Sequence, residues 1–101
     1  GRIDEALTAF SRSAQLNPDS AETQNYLGIV LSEKGQRVGA EAALRKAIQL
    51  QPDYASAHHN LSIIYATQQP PFIELARWHY EKAVSLGHAR NPELEGMLAG
   101  K

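Results

Sequence analysis

The stretch from Ala21 to Tyr54, AETQNYLGIVLSEKGQRVGAEAALRKAIQLQPDY, decides the fold, because its landmarks recur on either side of it at a fixed interval. Pro18 and Pro52 are 34 residues apart, as are Ala6 and Ala40, Leu27 and Leu61, and Gly1 and Gly35. A period of that length belongs to a solenoid of helix–turn–helix units, in which no unit buries its apolar face alone and each stacks on a neighbour. The architecture is therefore all-α, and the partner is not named by the repeat.

Helical spacing is visible to both sides of the stretch. From about Ile3 to Leu16 the apolar residues Ile3, Ala6, Leu7, Phe10 and Ala14 keep that spacing until Asn17-Pro18-Asp19 stops the run. Asp19-Ser20-Ala21-Glu22 offers an N-cap acceptor and, three residues on, a carboxylate suited to the helix dipole, so a helix is expected to run to about Lys34. Gly35 is placed to end it in the left-handed conformation. A second helix is expected from Arg37 to Leu50, with Ala40, Ala43, Leu44, Ala47 and Ile48 on one face. Gln51-Pro52-Asp53 repeats the stop and makes Asp53 the expected next N-cap.

The following unit departs in one place. Tyr65 and Ala76 are eleven residues apart where Leu31 and Ala40 are nine apart, and Pro70-Pro71 occupies the excess. Proline suits the approach to a first helical turn, so the next helix is expected from about Phe72 to Leu86, ending at Gly87. Asn91-Pro92 then reads as an N-cap and N1 pair, with Leu94, Met97 and Leu98 as a short apolar stripe that covers the last repeat. The chain divides accordingly into 1–19, the second helix of a truncated repeat; 20–54, a repeat; 55–88, a repeat with the Pro-Pro insertion; and 89–101, a capping helix. All belong to one domain.

Composition bounds the function. Ten basic and eleven acidic residues give a net charge of −1, so no long-range field draws the chain to nucleic acid or to an anionic membrane. There is no apolar run of the length that crosses a bilayer in this segment. The absence of cysteine removes disulfides, thiolate metal sites and thiol nucleophiles together, and suits either the cytosol or an envelope space.

The residues also resemble a known family. Tetratricopeptide repeats follow W-x2-L-G-x2-Y, then A-x3-F, then P, and the quoted stretch carries Gln24, Leu27, Gly28, Leu31, Ala40, Leu44, Ala47 and Pro52 at those places. The next unit carries His58, Leu61, Ser62, Tyr65, Ala76, Tyr80 and Ala83, and the opening residues carry Ala6, Phe10, Ser13 and Pro18. Neither complete repeat has the Trp, Ser62 stands in place of Gly, and His88 stands where the last Pro would be. The text from Leu75 to Ala89, LARWHYEKAVSLGHA, is also similar to Sel-like repeats, but Trp78 falls one place too early for that pattern. The resemblance implies a right-handed α-α superhelix acting as a non-catalytic protein–protein interaction scaffold, with no cofactor.

It further implies where a partner would sit. First helices of such units line a concave groove, whose positions here are Glu22, Asn25, Tyr26, Ile29, Ser32 and Glu33, then Ser56, His59, Asn60, Ile63, Ala66 and Thr67. Tyr26, Ile29 and Ile63 are the apolar members. One subclass of the family grips a C-terminal carboxylate with Lys, Asn and Arg; here only Asn25 and Asn60 fit, Ile29 takes the second place, and no such clamp is expected. Two other readings use the same fold. The open first helix, through Ile3, Leu7 and Phe10, would join two copies of the chain, or the segment would serve as a spacer in a longer solenoid.

Catalysis has only the histidines to offer. His58 and His59 are adjacent and point about 100° apart on a helix, so they do not chelate one metal as an i, i+4 pair does. His58, in the family's Trp place, is expected to pack between helices, and His79 has no carboxylate at ligand spacing. No phosphate loop, nucleophile elbow or paired-acid motif is present. Trp78 lies about 160° round its helix from Ala76 and is expected under the Pro-Pro turn, the alternative being an exposed second contact point.

Overall fold

Every backbone break that the sequence signals becomes a helix end in the computed structural model, which describes residues 1–99. Six helices result: α1 Arg2–Leu16, α2 Ala21–Glu33, α3 Arg37–Leu50, α4 Ala55–Thr67, α5 Ile73–Ser85 and α6 Pro92–Met97. Strands are absent among the described residues. The last two residues of the expected capping segment lie outside them. The helices fall into two units, Gly1–Pro52 with α1 to α3 and a second beginning at Asp53 with α4 to α6.

In the first unit α2 packs on α3 and α1 packs on α2. Ser20 caps α2, its Oγ accepting from the Thr23 N–H at 3.1 Å. That corrects the expected Asp19–Glu22 pairing. Because the helix begins at Ala21, the acceptor three residues before a free N–H is Ser20, while Glu22 only faces the positive end of the dipole. Gly35 takes φ 86 and turns the chain so that Gln36 N–H reaches the Leu31 carbonyl at 2.8 Å. Ala40, Leu44 and Ala47 are wholly buried on α3. Gly28 lets α2 approach: a Cβ built there would stand 2.5 Å from Leu44 Cγ. Helix α1 buries no residue fully; Phe10 stacks on Tyr26 with ring centroids 5.5 Å apart, and Lys34 at the end of α2 pairs with Asp4. That pairing holds the Asp4 carboxyl below its usual range.

In the second unit α4 packs on α5, and α6 lies against α4. Helix α4 starts one residue later than the expected Asp53 cap allows, so Tyr54 is its N-cap and no side chain bonds there. The Pro-Pro turn is closed by Phe72 N–H donating to the Tyr65 carbonyl at 2.8 Å. It does not cover Trp78, which is 56% exposed, because α5 begins at Ile73 and buries Ala76, Tyr80 and Ala83 on the opposite side. Ser62 fits the close position taken by glycine in the first unit, its hydroxyl donating to the His59 carbonyl at 2.6 Å. Gly87 repeats the device of Gly35, with φ 101 and His88 N–H donating to the Ala83 carbonyl at 3.0 Å.

Helix α6 forms as its sequence indicates. Asn91 Oδ1 accepts from Leu94 N–H at 3.0 Å and Pro92 opens the first turn. Its apolar stripe is narrower than expected: Leu94 and Leu98 are buried, but Met97 is 42% exposed. Leu94 and Leu98, four apart, share one face, and Met97 stands about 100° round the helix from Leu98.

Candidate functional site

Two first-helix faces and one side-chain cluster are the functional candidates. On α2, Glu22, Tyr26, Ile29 and Glu33 recur at the spacing that keeps one stripe of a helix together. Glu22 and Glu33 are exposed, Tyr26 is 44% exposed, and Ile29 is half-buried. The stacked ring of Phe10 fixes one side of Tyr26 and leaves the rest open. Asn25 does not belong with them. It is 2% exposed, because it shares the covered arc of the helix with Ala21, Gln24 and Gly28.

On α4, His59, Asn60 and Ile63 are half-buried and Thr67 is exposed, with the Thr67 hydroxyl spent on the Ile63 carbonyl at 2.7 Å. Ala66 is buried, one turn beyond Ser62 on the packed side. His59 is not a free groove residue. Its ring stacks on that of His88 with centroids 4.1 Å apart and planes 17° from parallel, and the Asn91 amide Nδ2 donates to its Nε2 at 3.4 Å. Burial first, and His88 second, hold the His59 imidazole below its ordinary value of 6.5. A proton on Nε2 would remove the acceptor that Asn91 uses and place a cation against a second imidazole.

The four histidines of the chain thus form two pairs, which the sequence reading did not foresee. His58 is buried as expected, but its partner is His79, with the two Nδ1 atoms 3.0 Å apart, one donating and the other accepting. Around them Trp78 sets its edge against both rings and Tyr65 stacks on His79. Register could have found this pair. Once the two extra residues at Pro70-Pro71 are allowed for, His58 and His79 stand where Gln24 and Ala43 stand in the first unit, and both of those are buried.

A cleft of about 270 Å³ completes the second unit, lined by Arg77, Tyr80, Glu81, Arg90, Glu95 and Leu98. Its polar groups other than the exposed Glu81 are engaged. Arg77 Nη2 donates to the Leu98 carbonyl at 2.6 Å, Tyr80 Oη donates to Glu95 Oε2 at 2.5 Å, Asn91 N–H donates to Tyr80 Oη at 2.9 Å, and Arg90 pairs with Glu95 at 2.7 Å. Burial and Glu95 raise the Tyr80 hydroxyl's pKa. The cleft is a structural junction that fastens α6 to α5. Among the described residues no three metal-ligating side chains gather into a site, and no helix is long and apolar enough to cross a membrane.

Helices packed in adjacent pairs at a 34-residue period, with close small residues between them, define a helical-repeat protein. A family model described as tetratricopeptide repeat matches residues 1–62, and the chain belongs to that family, whose members generally mediate protein–protein interaction. It is 31% identical over 100 residues to the peroxisomal targeting signal receptor of Yarrowia lipolytica, an alignment covering 93% of this chain and 17% of that protein. It is 36% identical over 67 residues to the BBSome complex member BBS4 homolog of Drosophila melanogaster, covering 66% of this chain and 14% of that protein. The chain therefore spans less than a fifth of the length of either relative.

Proposed function

We propose that this chain is a non-catalytic scaffold whose first helices bind a peptide or partner segment, using Glu22, Tyr26, Ile29 and Glu33 on α2 and His59, Asn60 and Ile63 on α4. The observation that carries the reading is Tyr26, a large ring left 44% exposed and held by Phe10, at the middle of a stripe bounded by two exposed carboxylates. An aromatic with a fixed ring offers contact area at little entropic cost. The relatives support it: one is named a receptor for a targeting signal and the other a member of a complex. Charge selects the partner. With Glu22 and Glu33 and no Lys or Arg in the stripe, a segment with apolar anchors and a basic or neutral flank is favoured over an acidic C-terminus.

A second reading, self-association through Ile3, Leu7 and Phe10, draws on the openness of α1, where Ile3 is 40% exposed. Amide NMR during titration with peptide libraries tests the first reading. Shifts centred on Tyr26, Ile29, Asn60 and Ile63 are expected, with affinity in the micromolar range or weaker, as befits a small surface (about 10⁻⁶ M). Light scattering across a concentration series tests the second, and a mass of one chain at high concentration would remove it.

A further inference from the structure

The outward side of α5 carries two large apolar groups that the core of the unit does not call for. Leu75 is nearly half exposed and Trp78, the chain's one tryptophan, is 56% exposed, while Phe72, just before the helix, is half exposed and stacks on the buried Tyr65. Leu75 and Trp78 stand three apart on the exposed side of the helix, with Trp78 opposite the buried Ala76. Allowing for the two-residue insertion, Trp78 occupies the place of Ala42 in the first unit, and Ala42 is exposed as well. The repeat therefore asks for no bulk at this position, and the indole is an addition to the scaffold.

The indole is supported on its inner side. Its ring stands at steep angles to those of His79 and His58, with centroids 4.9 Å and 6.0 Å away, and His58 is itself buried. A ligand docking on it pays little to order the side chain. Glu74 lies one turn before Trp78 and Glu81 one turn after, both exposed. Lys82 is the cation of this face, on the Leu75 side, while Arg77 is drawn away to the Leu98 carbonyl. An aromatic plate between two carboxylates, with apolar Leu75 beside it, matches a guanidinium or ammonium carried on an apolar segment.

We infer that the Leu75–Trp78 face of α5 is a second docking surface, separate from the α2 and α4 stripes, for a basic segment that lays an Arg or Lys over Trp78 between Glu74 and Glu81 and an apolar side chain on Leu75. Charge complementarity commits the occupant. An acidic segment would meet two carboxylates, and a second copy would bring its own Glu74 and Glu81 against them.

Trp78 reports on its own site, since it alone emits as tryptophan. The probe is a short synthetic peptide alternating leucine and arginine, with a charge-reversed leucine–glutamate peptide as its counterpart. The expected result is a saturable change in Trp78 emission with the arginine peptide only, binding weakened roughly tenfold by the paired change Glu74→Gln and Glu81→Gln and, read in every variant by the anisotropy of the dye-labelled peptide, abolished by Trp78→Ala. All three residues are exposed, so the variants should keep the wild-type helical signal. Ile29→Glu and Ile63→Glu, which test the α2 and α4 stripes, should leave the Trp78 response in place. The inference is overturned if both peptides act alike, if the glutamine pair binds as wild type, or if Ile29→Glu removes the binding while Trp78→Ala retains it.

Discussion

The imidazole rings of His59 and His88 lie 4.1 Å apart and nearly parallel, joining α4 to the turn between α5 and α6. Gly87 makes this possible, because its positive φ returns the chain over α4. The same turn brings Asn91 to His59 Nε2 and to the first turn of α6. One small junction of His59, His88, Tyr80, Asn91 and Glu95 therefore closes the second unit, while the first unit contains no histidine at all.

This asymmetry predicts an acid-sensitive second unit. The folded His59 takes up its proton less readily than in the unfolded chain, so the unfolded state binds more protons as the pH falls. Its contribution to stability is whole above the ordinary value of 6.5 and declines as the pH passes below it toward the depressed folded value. His88, Tyr80 and Asn91 face the ring directly, with Glu95 and Arg90 one contact further on. Hydrogen exchange at pH 7.5 and at pH 5 should show protection lost first in α4 to α6. His88→Gln should move the His59 titration upward in NMR and reduce that loss; an unmoved titration would sink the account.

Asn91 separates two contributions at the same junction. Asn91→Ala removes the cap of α6 and the donor to His59 together, and should cost about 1–2 kcal/mol. Asn91→Asp keeps an acceptor for Leu94 N–H at the helix N-terminus, but it replaces the amide donor with a carboxylate. Its stability at neutral pH should stay near wild type while His59 titrates higher. Urea denaturation paired with a histidine NMR titration distinguishes the two variants.

The buried and exposed members of the α6 stripe should behave differently. Leu94→Ala empties a packed site and is expected to cost about 2–5 kcal/mol, whereas Met97→Ala should fall within about 0.5 kcal/mol of wild type. Thermal melts followed by circular dichroism decide this, and equal losses at the two positions would mean that α6 is not seated as described.

The parts of this fold legible in the sequence are those that repeat. Pro18 and Pro52, Gly35 and Gly87, and the small residues Gly28, Ala40 and Ala76 mark helix ends and close approaches through local geometry. The exact N-caps are not legible, since the sequence points to Asp19 and Asp53 where the helices begin after Ser20 and Tyr54, and a one-residue shift in helix start changes which side chain stands at the cap. Asn25 reads as a groove residue yet is buried, because a helix arc is broad enough that a neighbour of a surface residue can belong to the packed side, whereas Trp78 stays uncovered because it lies opposite the buried side of α5. The His59 and His88 pairing had no local signal, since 29 residues separate them and the turn at Gly87 alone brings them together.

Three glycines in helices offer a test of packing against propensity. Replacing glycine by alanine inside a helix favours the folded state by up to about 1 kcal/mol if the methyl group finds room. At Gly96 nothing lies within 4 Å of the new Cβ, and at Gly39 the nearest atom is Leu31 Cδ1 at an ordinary 3.5 Å. Both changes should stabilise. At Gly28 the methyl would stand 2.5 Å from Leu44 Cγ and 3.2 Å from the Ala40 carbonyl oxygen. Leu44 is wholly buried and has its branch carbon, not a flexible tip, in the way. Overpacking of about 1–3 kcal/mol then exceeds the gain in propensity, and α2 must move off α3. Gly28→Ala should lower the melting temperature, while Gly39→Ala and Gly96→Ala raise it by a few degrees (about 4–8 °C per kcal/mol at this chain length). A stabilised Gly28→Ala variant would show that α2 and α3 do not approach as closely as this contact requires.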